Sequence, residues 1–243
     1  MKQLICLLLI ATLASPFSHA QKKNYLSIDA GLTQSGINNR LSENMNTNRL
    51  GARIETNFLF FFLLPISSTT QYPLKGNTSS NYKVRYGYNK NENTSIEAGF
   101  GNVLKSWVKG AQASQTHVNY LEINYKVSTA YVAYMWKNKK QNAAIGIGPS
   151  VSFWKIDQSD SYGNLHSNKN QIVPGAIVTT YWNFINRKSW TLGLRNDLNI
   201  SMPVKTEDVK ITNPGDPTFV SVSRGTNIGS FINTISISGG IKF

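Results

Sequence analysis

The chain of 243 residues lacks several features that common classes of protein need. It has one cysteine, Cys6, so it cannot form an internal disulfide. Charged residues make up 15% of the sequence and aromatic residues 11%, which is too little charge and too much aromatic content for a disordered protein. Beyond residue 20, no apolar run approaches the roughly 20 residues that a membrane-spanning helix requires. These absences exclude disulfide-stapled, disordered and helical membrane proteins.

The first 20 residues have the layout of a secretory signal peptide. A short basic start, Met1 to Gln3, precedes the apolar stretch Leu4 to Leu13, and Ser18-His19-Ala20 supplies small residues where a signal peptidase cleaves. We therefore expect cleavage before Gln21, export of one domain over 21–243, and loss of the only cysteine with the signal peptide.

The charge is strongly basic, with 25 Lys and Arg against 12 Asp and Glu. Many basic residues are spread over short polar segments, such as 137–140 and 187–188, and do not form the single stripe that a nucleic-acid site needs. We expect no nucleic-acid partner. Phosphates of lipid headgroups are the anionic neighbours that this charge favours.

Apolar and polar side chains alternate along most of the chain from Asn24 onward, which is typical of β-strands with one apolar face. The longest such run covers 121–135. One face of this strand carries Leu121, Ile123, Tyr125, Val127, Tyr131, Ala133 and Met135. The other face carries Glu122, Asn124, Lys126 and Ser128. The predicted fold class is all-β.

Connections between the predicted strands alternate in length. Short ones cover 89–93, 137–142 and 185–189, and long ones cover 105–116, 155–170 and 203–226. The segment 50–70, which includes the apolar run Phe58 to Ile66, could add a hairpin to the sheet. The count is then ten strands, and otherwise eight. Both numbers suit a closed antiparallel up-and-down barrel.

Two features place the apolar faces toward lipid. The polar faces carry charges among many small residues, which is typical of a packed interior. Aromatic residues gather beside the short connections, where Tyr and Trp favour a membrane boundary: Tyr86, Tyr88, Tyr134, Trp136, Trp182, Phe184 and Trp190. The prediction is a transmembrane β-barrel. A soluble secreted β-sandwich that acts as a binding protein is the alternative.

The charged residues on the polar faces predict an interior network. They are Asp29, Lys83, Arg85, Glu97, Glu122, Lys126, Arg195 and Asp197. Because side chains fill the interior of an eight-stranded barrel, we expect a plug of salt bridges. The predicted pairs join Lys83 and Arg85 to Glu97, Glu122 to Arg195 or Lys126, and Asp29 to Lys242.

Over residues 21–243 this pattern resembles the small outer-membrane β-barrels of Gram-negative bacteria, of the OmpA/OmpX-like porin-family type. The most specific element is the end of the chain, where Ile235, Ile237, Gly239, Ile241 and Phe243 recur at every second position. The resemblance implies an outer-membrane location with short turns in the periplasm and long loops outside, where outer-membrane lipid and lipopolysaccharide are the expected partners. It also implies that the barrel-assembly machinery recognises a signal formed by Ile237, Ile241 and Phe243.

Few residues could carry chemistry. After cleavage only His117 and His166 remain, and His166 shares a segment with Asp157 and Asp160, as in a barrel enzyme acting on lipid A or peptides. Such residues are more often turn formers.

We expect no catalytic, cofactor or metal site. The expected function is that of a monomeric barrel that acts through its extracellular loops, in adhesion or surface stabilisation, or as a minor solute pore. A barrel enzyme is the alternative.

Overall fold

The computed structural model describes residues 24–51, 54–59, 65–70, 73–75, 79–114 and 116–243, with the backbone alone between 54 and 70. The predicted signal peptide, 1–20, and part of the run Phe58 to Ile66 lie outside the described residues.

Thirteen strands and one helix are described. Eight strands build a barrel: β1 (Asn24–Ser35), β5 (Ser79–Asn89), β6 (Thr94–Ala113), β7 (Val118–Lys137), β8 (Ala143–Asp160), β9 (Leu165–Asn186), β10 (Trp190–Lys205) and β13 (Asn227–Lys242). The connections hold the other elements: α1 (Ile37–Thr47), β2 (Ile54–Leu59), β3 (Pro65–Thr70), β4 (Leu74–Lys75), β11 (Val209–Asn213) and β12 (Asp216–Ser223).

The eight barrel strands form one closed antiparallel sheet. Strand β1 pairs with both β5 and β13, and the remaining strands pair in chain order. Strands β2 and β3 pair with each other as a separate two-stranded sheet. The predicted eight-stranded barrel is thus confirmed, while the ten-stranded count is wrong. The β-sandwich is also wrong, because the barrel is one sheet closed on itself.

The two ends of the barrel differ. Both chain ends of the barrel and the three short turns lie at one end, which we call the terminal end. There, Asn24 and Phe243 exchange two backbone hydrogen bonds of 2.9 Å. The other end, which we call the loop end, carries α1 and the hairpins β2–β3 and β11–β12.

Two of the predicted long loops are strand instead. Segments 105–116 and 155–170 mostly continue strands β6, β8 and β9, which are closed by the four-residue connections 114–117 and 161–164. Strand β9 has 22 residues, about twice the 9–11 that cross a membrane. At about 3.3 Å per residue and a tilt of about 40°, it extends about 55 Å along the barrel axis. The barrel is therefore much taller than a bilayer core.

The kind of side chain that points into the barrel changes along this height. Toward the terminal end, apolar side chains point outward and most inward ones are polar, apart from a small buried cluster of Tyr131, Ala133, Met135, Ala144, Ile177 and Tyr181. Toward the loop end, the interior is apolar instead. The buried residues there include Val103, Leu104, Val108, Leu121, Ile123, Tyr125, Val127, Trp154, Ile156, Val204, Val209, Ile211, Ile228 and Ile232.

Strand β7 shows where the sequence prediction fails. Its odd-numbered residues point inward along the whole strand, so Leu121 to Met135 do not form a lipid face. Outward positions carry Glu122, which is half-buried, and Lys126, which is exposed. The prediction assumed that apolar means outward at every height. Above the membrane that rule reverses, because water replaces lipid outside. Within the belt, β7 is apolar on both faces, and its inward Tyr131, Ala133 and Met135 belong to a second buried cluster.

Helix α1 fills the interior at the loop end. Its buried residues include Ile37, Leu41 and Met45, which share one helical face at a spacing of four. The chain after the helix approaches β6 closely at Gly110, where a side-chain Cβ would lie 2.3 Å from the carbonyl oxygen of Leu50. Among the described residues, no helix is long and apolar enough to span a membrane.

Candidate functional site

A cluster of three cations and three carboxylates crosses the interior toward the terminal end. Lys83 and Arg85 on β5 and Arg195 on β10 face three acidic side chains: Asp29, Glu97 and Asp197. All six side chains are at most 6% exposed. The formal charges balance, as burial of this many ions requires.

Arg85 lies at the centre of this cluster. Its Nη2 donates to Asp197 Oδ2 at 2.6 Å, its Nη1 donates to Glu97 Oε1 at 3.2 Å, and its Nε donates to Asp29. Lys83 pairs with Asp197 and also donates to Thr234 Oγ1 at 3.1 Å. One guanidinium therefore joins carboxylates from three strands, β1, β6 and β10.

Glu97 is the second centre. It accepts a hydrogen bond from Arg195 Nη1 at 3.0 Å, and Arg195 Nη2 forms an ion pair with Glu97 Oε2 at 2.9 Å. Two phenols also donate to it, Tyr25 at 2.7 Å and Tyr131 at 2.8 Å. Both carboxylate oxygens of Glu97 thus accept hydrogen bonds.

Two glycines make room for these phenols. Tyr25 lies opposite Gly87 and Tyr131 lies opposite Gly99 in the strand register. A Cβ at Gly87 would lie 2.0 Å from the Tyr25 ring, and one at Gly99 would lie 2.4 Å from the Tyr131 ring. Alternation along the strands did not single out Tyr25, and the predicted outward position of Tyr131 is wrong. Glycine on the directly opposing strand is the signal that could have found both.

The structure brings six of the eight predicted network residues together. Arg85 does contact Glu97, but Lys83 pairs with Asp197, and Asp29 contacts Arg85 rather than Lys242. Glu122 and Lys126 stand outside the barrel and take no part in the network, which corrects their predicted inward position.

The interior is filled above the ion cluster as well. Asn199 accepts from Ser150 Oγ at 2.9 Å and donates to Thr129 at 3.1 Å and Ser152 at 3.0 Å. Above this polar layer lies the apolar core with α1. Charged, polar and apolar layers therefore close the lumen in succession.

A small cavity opens on the terminal end of the barrel. It has a volume of about 80 Å³, and its lining includes Tyr25, Lys137, Arg195 and Lys242. Arg195 belongs to the ion cluster, so the cavity ends at the plug.

The two histidines lie at the loop end. His166 Nε2 is 2.7 Å from Asp160 Oδ2, and Asp160 also accepts from the backbone N–H groups of Tyr162 at 2.8 Å and Asn164 at 3.0 Å. His117 lies 3.9 Å from Asp216. Within the described part of the chain, no group of three or more His, Cys, Asp or Glu could hold a metal ion.

The pKa of Asp160 reflects this turn. Desolvation acts to raise the pKa of its carboxyl group, but hydrogen bonds from Asn164, His166 and the Tyr162 backbone lower it below its ordinary value. A carboxylate that is held by donors from three residues in a turn is organised to close that turn.

The outer surface toward the terminal end is apolar. Outward side chains form a belt around the barrel without a formal charge, which includes Ile28, Val84, Phe100, Val132, Ile147, Val151, Leu194, Ile235 and Ile237. Tyr86, Tyr88, Trp136, Trp182, Phe184 and Trp190 are exposed near the short turns. The expected positions of these aromatic residues match the structure, and Tyr134 packs edge-on against Trp136 at 5.0 Å.

A closed sheet with a polar interior and an uncharged apolar belt leaves no backbone edge in lipid. These features define the class of the chain: it is an outer-membrane type of transmembrane β-barrel.

Solved outer-membrane barrels are similar to it in fold. Ail of Yersinia pestis is 7% identical over 92% of this chain and 100% of that chain, with a TM-score of 0.43. OprG of Pseudomonas aeruginosa is 10% identical over 92% and 98%, with a TM-score of 0.44. Neisserial surface protein A is 12% identical over 90% and 97%, with a TM-score of 0.38. No protein-family model and no curated protein matches the sequence.

Proposed function

We propose that this chain is a non-catalytic outer-membrane barrel that acts through the surface of its loop end. The observation that carries the proposal is the filled lumen, with the ion cluster below and the apolar core with α1 above. A barrel that is closed in this way offers no wide route for solutes. Its strands instead raise a polar outer wall and two hairpins beyond the apolar belt.

The loop end faces outward in this proposal, with both termini and the short turns in the periplasm. Ile237 and Ile241, which point outward on β13, and Phe243 would serve as the assembly signal. The barrel would function as a monomer among outer-membrane lipids. Adhesion or stabilisation of the cell surface are the roles that an exposed wall of this kind supports.

The His166–Asp160 pair favours a turn role over a catalytic one. Asp160 is engaged by Asn164 and Tyr162 as well as by His166, which accounts for the pair without a reaction. The wild type, His166→Ala and the matched control His117→Ala should all leave lipid A and added peptides unprocessed. Loss of any processing in H166A alone would support the enzyme alternative.

Conductance in planar lipid bilayers separates a sealed barrel from a minor pore. The purified protein should insert without producing stable open steps, because side chains of the plug occupy the lumen. Stable steps of nanosiemens size would overturn the sealed interior and favour a solute pore.

A further inference from the structure

Three lysines from neighbouring strands form a row on the outer wall. Lys105 on β6 lies directly opposite Lys126 on β7, and Lys126 lies directly opposite Lys155 on β8. All three are exposed. Directly opposed residues of an antiparallel pair have Cβ atoms about 5 Å apart, so the three ammonium groups share a small area.

This row is poorly neutralised by the protein. Asp157 Oδ2 lies 3.7 Å from Lys155 Nζ, and no other carboxylate among the described residues lies within ion-pair distance of the three lysines. Like charges directly opposite each other destabilise a sheet. A row of three therefore costs stability unless an anion lies across it.

The row also marks a boundary on the wall. On β8 the residues below it toward the terminal end are Phe153 and Val151, both exposed and apolar, while Asp157 follows above it. On β7 Asn124 stands above the row. Below the row on β7, the outward Ser128 lies between Lys126 and the apolar Ala130. The lysines thus lie just above the apolar belt, near the level at which lipid headgroups meet acyl chains.

An apolar groove lies beneath the row, on strands β7 and β8. It has a volume of about 270 Å³, and its outward lining comes from Ala130, Val132, Pro149 and Val151. The ladder between β7 and β8 is interrupted beside Pro149, which has no N–H group to donate. Four strand residues, or about 13 Å, separate Lys126 from Ala130, and the same number separates Lys155 from Val151.

We propose that this row and this groove together form a binding site for a lipid with a phosphorylated headgroup. The lysines Lys105, Lys126 and Lys155 hold the phosphate, and the groove between β7 and β8 holds an acyl chain. The charged row lies above the apolar groove, in the same order as the headgroup and acyl chain of a lipid in the outer leaflet. The inference rests on the proposed insertion of the barrel with its loop end outward.

Native mass spectrometry of the detergent-purified full barrel tests the site. The probes are bisphosphorylated lipid A, the same lipid after removal of its phosphates, and inorganic phosphate as competitor. The triple variant K105Q/K126Q/K155Q should bind the phosphorylated lipid at least about tenfold more weakly, because three ammonium groups no longer attract the phosphate. The dephosphorylated lipid should bind the wild type as weakly as the phosphorylated lipid binds the triple variant.

The chain supplies matched controls for both parts. K139Q/K140Q/K188Q removes the same charge from exposed turns at the terminal end and should bind as the wild type does. Ala130→Phe fills the groove and should weaken binding, while Ala30→Phe should not. Ala30 lines another outer groove, of about 480 Å³, which the lysine row does not border.

The outcomes separate the two proposals. Each variant is first checked for the change in gel mobility on boiling that a folded barrel gives, and failure of the wild type in this check would overturn the membrane barrel itself. With folding intact, equal binding by the lysine variant and the wild type would overturn the lipid site. Full displacement of the lipid by millimolar inorganic phosphate, or unchanged binding by Ala130→Phe, would overturn the acyl groove.

Discussion

Single residues inside the barrel act as cross-braces. The ion cluster and the groups that bond to it come from seven of the eight barrel strands: Tyr25, Asp29, Lys83, Arg85, Glu97, Tyr131, Thr179, Arg195, Asp197 and Thr234. A buried ion that loses its partner leaves an uncompensated charge. We therefore expect that removing one ion of the cluster destabilises the barrel mainly through the unpaired buried charge that it leaves behind.

Arg85 is the most sensitive position in this cluster. Arg85→Met should lower the free energy of unfolding by about 3–5 kcal/mol, since Asp29, Glu97 and Asp197 would all lose a partner. Urea unfolding in detergent, followed by gel mobility, measures the change. Arg187→Met, at an exposed turn position, should have little effect. Equal stability of Arg85→Met and the wild type would show that the pairs are dispensable.

Asp160 gives a prediction for pH. Because its pKa in the folded protein is lowered, the stability it contributes is present above its ordinary pKa of about 4 and is lost as the pH falls through the lowered value. His166→Ala should move the pKa of Asp160 up toward the ordinary value. Carboxyl-carbon NMR titration measures this, and His117→Ala, at the other histidine, should leave it unchanged. The same pKa in both variants would contradict the hydrogen bond.

At the scale of elements, strand β7 passes through two environments with one continuous alternation. Near the terminal end its outward residues, such as Val132 and Trp136, face lipid. Farther up its inward residues, such as Ile123 and Val127, join the apolar core while Lys126 faces water. Strand β7 thus contributes to the apolar belt, to the filled interior and to the outer wall, while its odd-numbered residues point inward along its whole length.

Cysteine labelling tests this inversion directly, because the only native cysteine is Cys6 in the predicted signal peptide. Glu122→Cys and Lys126→Cys should react with a membrane-impermeant maleimide on intact cells. Ile123→Cys and Val127→Cys should stay protected until the barrel is unfolded. The reverse pattern would mean that the apolar face of β7 is outside.

The hairpin β2–β3 is a separate element of the loop end. It pairs with no barrel strand within the described residues, so replacing 54–70 by a short Gly-Ser linker should leave the barrel folded. The mobility change on boiling should be retained, with a loss in stability of less than about 1 kcal/mol. A variant that no longer shows this change would place the hairpin in the barrel's structure.

For the whole molecule, strand pattern and end-of-chain pattern predicted much of the fold. The phase of β1, β5, β10 and β13 was right because these strands meet lipid over most of their length. The phase of β7 and the extents of β6, β8 and β9 could not be obtained in this way. Alternation does not show where lipid ends, and a strand that leaves the membrane keeps its alternation while its apolar face turns from outside to inside.

The candidate site divides in the same way. Six ions of the network could be predicted because a charge on an alternating face within the belt must point inward. Their pairing could not, since it depends on which strands face each other across the lumen. The lysine row was equally hidden, because it exists only through the register of three strands.

The most direct test of the membrane barrel is the gel mobility of membrane-extracted protein with and without boiling in SDS. A closed, internally braced barrel resists SDS until it is heated. We predict a shifted band for the unboiled sample and retention in the membrane fraction after a urea wash. A single unshifted band, together with release by urea, would contradict the transmembrane barrel.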